Sequence, residues 1–270
     1  IERASDGAFT PYALGVARRV HGGPGESITG VDVQVVHPLD WPLVVHLVDP
    51  PAIDVDRAPN TYRIDAYLDL GPDGVFRSPL GIRYVTDVSS WVVLPGWATL
   101  DGDLADAAYT ITAGAYNRRF DSAAGIVVDD PPLSMVVSPG HDDPASPILV
   151  EGFLGIPDPL DPAPEAVLRD GRMTFASPPL EPDYWLAVAW GYSDFWPRWL
   201  AVLPGCAREY TLPDLASLAG LDPFPLDWGV WGIFAVRVPG FTYDEWTYGL
   251  LDGRGWSAYA ANSSVFWFAE

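Results

Sequence analysis

Short runs of alternating or β-branched apolar residues, each closed by glycine, proline or aspartate, recur every 8–15 residues, and little else in the chain is periodic. They are "GVDVQVV" (30–36), "LVVHLV" (43–48), "YRIDAYLDL" (62–70), "SWVVL" (90–94), "AYTITAGAY" (108–116), "GIVV" (125–128), "LSMVV" (133–137) and "PILVEGFLG" (147–155). Successive side chains of a strand point to opposite faces, so alternation marks a strand with one face buried. The 28 Pro and 26 Gly supply the turns between strands. Helical periodicity is confined to "LPDLASLAGL" (212–221), too short to be stable alone. This pattern predicts an all-β chain of antiparallel β-sandwiches.

At 270 residues the chain is long enough for two such domains. The least structured segment, "SPGHDDPASP" (138–147), places the boundary between a domain at 1–140 and a second at 146–270. The halves differ in aromatic content, with nine of the twelve Trp after residue 170.

Charge excludes several classes of function. Fifteen cations, all Arg, face 36 acids, of which 28 are Asp, leaving a net charge of −21. A surface this acidic repels nucleic acid and anionic membranes. Without lysine, Schiff-base chemistry and lysine-dependent isopeptide crosslinks are ruled out. Cys206 stands alone, so there is no intramolecular disulfide, and four scattered His give a zinc site no support. No apolar run reaches the length of a membrane helix. The opening "IERASDG" lacks the charge and hydropathy of a signal peptide, so any signal has already been removed, and the proline- and Asp-rich, lysine-free composition sets the expectation of a secreted or cell-surface chain.

In the C-terminal half, "GRMTFASPPLEP" resembles the B strand of a fibronectin type III domain and its proline-rich exit, with Phe175 in place of the commoner Trp. "DYWLAVAW" resembles strand C, "REYTLPDL" the E strand and its following turn, "WGIFAV" strand F, and "SSVFWFAE" strand G. The resemblance spans roughly the last 100 residues. It implies a sandwich of the immunoglobulin and fibronectin kind serving as an extracellular spacer, adhesion or binding module; the fold alone does not assign a function.

Within "DYWLAVAW", Tyr184, Leu186, Val188 and Trp190 share one face of a strand, and Trp185, Ala187 and Ala189 the other. The first row is apolar throughout and is expected to line the sandwich core. The last 100 residues hold 22 aromatics, more than one small core accommodates, so some are expected at a partner- or ligand-binding surface. The candidates are Trp185, Trp196, Trp199, Trp246 and Trp256. Two aspartate-rich turns are candidates for calcium, whose ligands are oxygens gathered by a tight turn. These are "DLGPDG" with Asp69 and Asp73, and "DGDLAD" with Asp101, Asp103 and Asp106. His46 alternates with Val44 and Val48 and reads as a core or interface histidine. No G-x-S-x-G, H-E-x-x-H, glycine-rich phosphate loop or C-x-x-C motif is present.

These features point to a non-enzymatic structural or adhesion protein whose partners are copies of itself or surface proteins. The strand-compatible "GAFTPYALGVARRV" is a candidate for adding an edge strand to a neighbour. The alternative is a carbohydrate-binding module with an aromatic platform supported by calcium, and an unrecognised hydrolase is the third option.

Overall fold

The computed structural model describes the chain apart from residues 1, 4–8, 11–12, 19, 55, 87–89, 177–179, 192–196, 214–227, 254 and 269–270. In chain order the strands begin with β1 (Glu2–Arg3), β2 (Phe9–Thr10), β3 (Ala13–Leu14), β4 (His37–Pro38), β5 (Trp41–Leu47), β6 (Thr61–Asp69) and β7 (Val75–Val85). They continue with β8 (Trp91–Gly96), β9 (Ala108–Asp121), β10 (Ile126–His141), β11 (Ile148–Val150), β12 (Asp158–Asp161) and β13 (Val167–Leu168). The last are β14 (Arg172–Ala176), β15 (Tyr184–Gly191), β16 (Pro197–Pro204), β17 (Glu209–Thr211), β18 (Trp228–Arg237) and β19 (Ala258–Phe268). Among the described residues there is no α-helix, only short 3-10 turns, and the fold is all-β as the turn spacing predicts. β11 runs parallel to β5 and β13 parallel to β19, while β5–β8, β6–β7, β10–β19, β12–β14, β14–β17, β15–β16, β15–β18 and β18–β19 are antiparallel.

The chain divides into two compact units built from interleaved segments. The first is Ile1–Val48, Tyr62–Ala113 and Val137–Glu151, and the second Asp49–Thr61, Gly114–Val136 and Gly152–Glu270. The segment around 138–146, where the sequence places a boundary, therefore belongs to the first unit.

In the first unit a three-stranded sheet runs in the order β11-β5-β8. Alternation fixes which way it faces: Leu43, Val45, Leu47, Val92, Leu94, Ile148 and Val150 are buried. Ile64, Ala66 and Leu68 on β6 and Tyr109, Ile111 and Ala113 on β9 are buried as well. The Tyr109 hydroxyl accepts the Trp97 backbone N–H at 2.8 Å, and their rings stack at 6.0 Å.

In the second unit β12-β14-β17 form one sheet, and β16-β15-β18-β19-β10 run side by side in another. The segments resembling strands B and E thus pair with each other, and those resembling C, F and G pair in the second sheet. That is the two-sheet division of an immunoglobulin-type sandwich.

Two sequence expectations change. "GVDVQVV" (30–36) forms no strand, and all of residues 20–36 are exposed. In β15 the rows are reversed. Trp185, Ala187 and Ala189 face the sandwich interior, where the Trp185 ring meets Phe175 of the opposing sheet at 4.8 Å. Across the ladder the same face carries Ala235, Ile233 and Trp231, so each large ring stands opposite an alanine that makes room for it. The row Tyr184, Leu186, Val188 is also buried, but on the outer face, under the connection between β18 and β19. Both faces of β15 are covered, which is why "DYWLAVAW" reads as a nearly continuous apolar run.

Candidate functional site

The five candidate tryptophans do not form one platform. Trp185 is wholly buried between the sheets, with its Nε1 donating to the Gly205 carbonyl at 2.8 Å, and as a surface contact it is corrected. Trp199 packs against Ala189 and Leu212 at the inner side of edge strand β16. Trp196 lies outside the described residues.

Trp246 and Trp256 are brought together. Both belong to the lid, residues 238–257, that covers the outer face of β15 and β18. Phe241 of the lid lies 5.1 Å from the Tyr184 ring. Leu250 supplies one carbonyl to two donors, Trp256 Nε1 at 2.6 Å and the Tyr184 hydroxyl at 3.3 Å. Asp183 accepts the Val238 N–H at 2.7 Å, and the Tyr243 hydroxyl donates to the Val202 carbonyl at 3.1 Å. Burial beneath the lid pushes the Tyr184 hydroxyl up to about 12. Trp246 meets Tyr248 edge-on at 5.3 Å, and Tyr248 itself is 82% exposed.

The two aspartate turns also come together, around an arginine. Arg18 Nε pairs with the Asp73 carboxylate at 2.9 Å. Its Nη2 donates to the Leu70 carbonyl and its Nη1 to the Ala105 carbonyl, each at 2.7 Å. Asp69 accepts the Gly71 N–H at 2.8 Å within its own turn. Asp101 flanks the 3-10 turn Gly102–Leu104, which contains Asp103, and Asp106 holds a left-handed backbone at φ 69°. Among the described residues no three His, Cys, Asp or Glu side chains converge as ligands for a metal ion. The Arg18 guanidinium pairs with the Asp73 carboxylate of one turn and with a backbone carbonyl of the other. The sequence carries no signal for this pairing, because Arg18 lies 55 residues from Asp73.

The N-terminal stretch considered for strand addition pairs within its own chain where it is described. Phe9–Thr10 pairs with Glu2–Arg3, and Ala13–Leu14 with His37–Pro38.

The surface that the sequence leaves unnominated is the outer face of β11-β5-β8. Register places Leu149, His46 and Trp91 in one row across the three strands, with Val44 and Val93 beside them. The His46 and Trp91 rings stack at 4.1 Å, nearly parallel. Trp91, Val93 and Leu149 are 52%, 53% and 53% exposed. The segments "WPLVVHL", "WVVLPG" and "ILV" contain no Asp, Glu or Arg at all. In a chain of net charge −21 that absence is the signal that could have found this face.

No helix among the described residues is long and apolar enough to cross a membrane. No protein-family model matches the sequence, and no curated protein matches it. Among solved structures it is similar to a two-domain fibronectin type III segment from chicken tenascin, at 13% identity and a TM-score of 0.22. That likeness covers 69% of this chain and 78% of the tenascin segment, and a superposition so slight assigns neither family nor function.

Proposed function

We propose that this protein is a non-enzymatic structural or adhesion module of the cell exterior that works by contact with copies of itself or with surface proteins. The observation that carries this reading is the charge-free β11-β5-β8 sheet, with Trp91, Val93 and Leu149 exposed on its outer face. Contiguous exposed apolar surface is costly on a soluble chain and is characteristic of interfaces. Elsewhere the acids keep copies apart, and on this face they are missing.

Sedimentation velocity over a range of chain concentrations, at low and at high salt, tests the reading. Association that strengthens with concentration and with salt is expected, because salt screens the acidic repulsion and leaves the apolar contact intact. A single monomer boundary under every condition would overturn self-contact. A second reading, binding of glycans, is favoured by Tyr248, whose exposed ring beside Trp246 is available for stacking on a sugar. Titration with soluble oligosaccharides should then change tryptophan fluorescence in the native chain but not in Tyr248→Ala, and an unchanged native signal would remove it.

A further inference from the structure

The inference rests on the self-contact reading above and names the two surfaces that meet. The first is the outer face of β11-β5-β8 just described. The second is the stretch 28–36, which belongs to no strand although its sequence alternates as a strand does. Ile28, Val31, Val33, Val35 and Val36 are 47%, 44%, 47%, 64% and 56% exposed. Within 28–36 the sole charged residue is Asp32.

We propose that the 28–36 stretch of one copy packs its apolar side chains against the Val44, His46, Trp91, Val93 and Leu149 face of a second copy. Three physical reasons converge. β-branched residues in alternation are suited to a pleated, half-buried surface, and here they stay 44–64% exposed although Val33 borders Gly15 of their own chain. Both surfaces are almost without acids on a chain of net charge −21, so this contact brings copies together where their mutual repulsion is least. The areas also match. Trp91, Val93 and Leu149 together expose on the order of 300 Å², the size of a whole functional patch on an ordinary monomer, and the valine stretch exposes a comparable area. Alternation presents Val31, Val33 and Val35 on one side, so segment and face used reciprocally bury on the order of 500–600 Å² per partner, the low end of specific interfaces.

The experiment is sedimentation velocity on the full chain and on four variants, with circular dichroism to show that each is folded. Val33→Asp lies outside every strand, but the Val33 Cγ1 borders Gly15, so its circular dichroism must match the native chain before its association is read. It should raise the concentration for half-association by at least about tenfold. Leu149→Asp, on the opposite surface, should do the same. Leu149→Arg alone should weaken association, and the double variant Val33→Asp with Leu149→Arg should regain it, because the two surfaces then meet through opposite charges. Association of the native chain that neither Val33→Asp nor Leu149→Asp alters would overturn this contact while leaving the self-contact reading standing. A native chain that stays monomeric at every concentration would overturn both. Failure of the double variant to regain association would overturn the direct apposition of the two surfaces.

Discussion

Tyr109 shows how much a single buried hydroxyl is worth in this fold. It is 1% exposed, accepts the Trp97 N–H, and is pushed by burial up to about 12. A phenol whose folded value lies above its ordinary value of 10.0 stabilises the fold fully below pH 10. That contribution is lost as pH rises through 12, because the unfolded chain ionises first. An alkaline titration followed by circular dichroism should therefore show unfolding beginning between those two values. Tyr109→Phe should flatten that loss, yet cost about 1–2 kcal/mol at neutral pH by leaving the Trp97 N–H without its acceptor. Gly205 is a second position where one atom decides. A Cβ there would overlap the Pro182 carbonyl oxygen, a backbone atom that cannot swing aside. The Gly205 carbonyl also receives Trp185 Nε1 and Arg208 Nη1. Gly205→Ala is expected to destabilise by about 2–3 kcal/mol, measured by denaturant unfolding. At Arg18, substitution by Ala removes the hydrogen bonds that join the two aspartate turns and should cost about 1–3 kcal/mol. Faster proteolytic cleavage within 20–36 would check it.

At the scale of elements, β15 is the informative strand, because two different structures cover its two faces. Its inner face is closed by β14 through Phe175, and its outer face by the 238–257 lid. Truncating one ring on each side should separate the two contributions. Trp185→Ala opens a cavity between the sheets, and a loss of about 3–5 kcal/mol in global stability is expected. Trp256→Ala removes a half-buried ring and its bond to the Leu250 carbonyl. It should cost less, about 1–3 kcal/mol, and raise hydrogen exchange across the lid while the β15 and β18 amides stay protected. Equal exchange in both regions would show that lid and sheet open as one unit.

At the scale of the whole molecule, the dominant fact is charge. Fifteen arginines cannot neutralise 36 acids, and several of them are committed to local pairs. Arg63 and Arg77 both hold the buried Asp65 carboxylate, at 2.8 and 2.6 Å, and that hydrogen bond raises the Arg77 guanidinium further. Raising ionic strength from about 0.01 to 0.15 M shortens the screening length from about 30 to 8 Å. This damps the long-range repulsion among acids far more than the contact pairs around Asp65. Thermal stability should therefore rise with salt over that range. A fall would mean that surface ion pairs outweigh the net repulsion.

Local chemistry made the strand content legible, since alternation and turn residues act over a few positions. The stretches now in β5, β6, β8, β9 and β10 could be picked out from it, and those in β15, β18 and β19 from their resemblance to strands C, F and G. The same reading took 30–36 for a strand, because alternation states that a stretch is fit for a sheet and not that a partner strand is present. It also inverted β15, since a strand buried on both faces carries no pattern that distinguishes sandwich interior from lid. The meeting of Asp73 with Arg18, the separation of Trp185 from Trp246 and Trp256, and the charge-free outer face of β11-β5-β8 were decided by tertiary structure alone. Each depends on contacts between residues far apart along the chain, and the spacing of residues within a run holds no information about those.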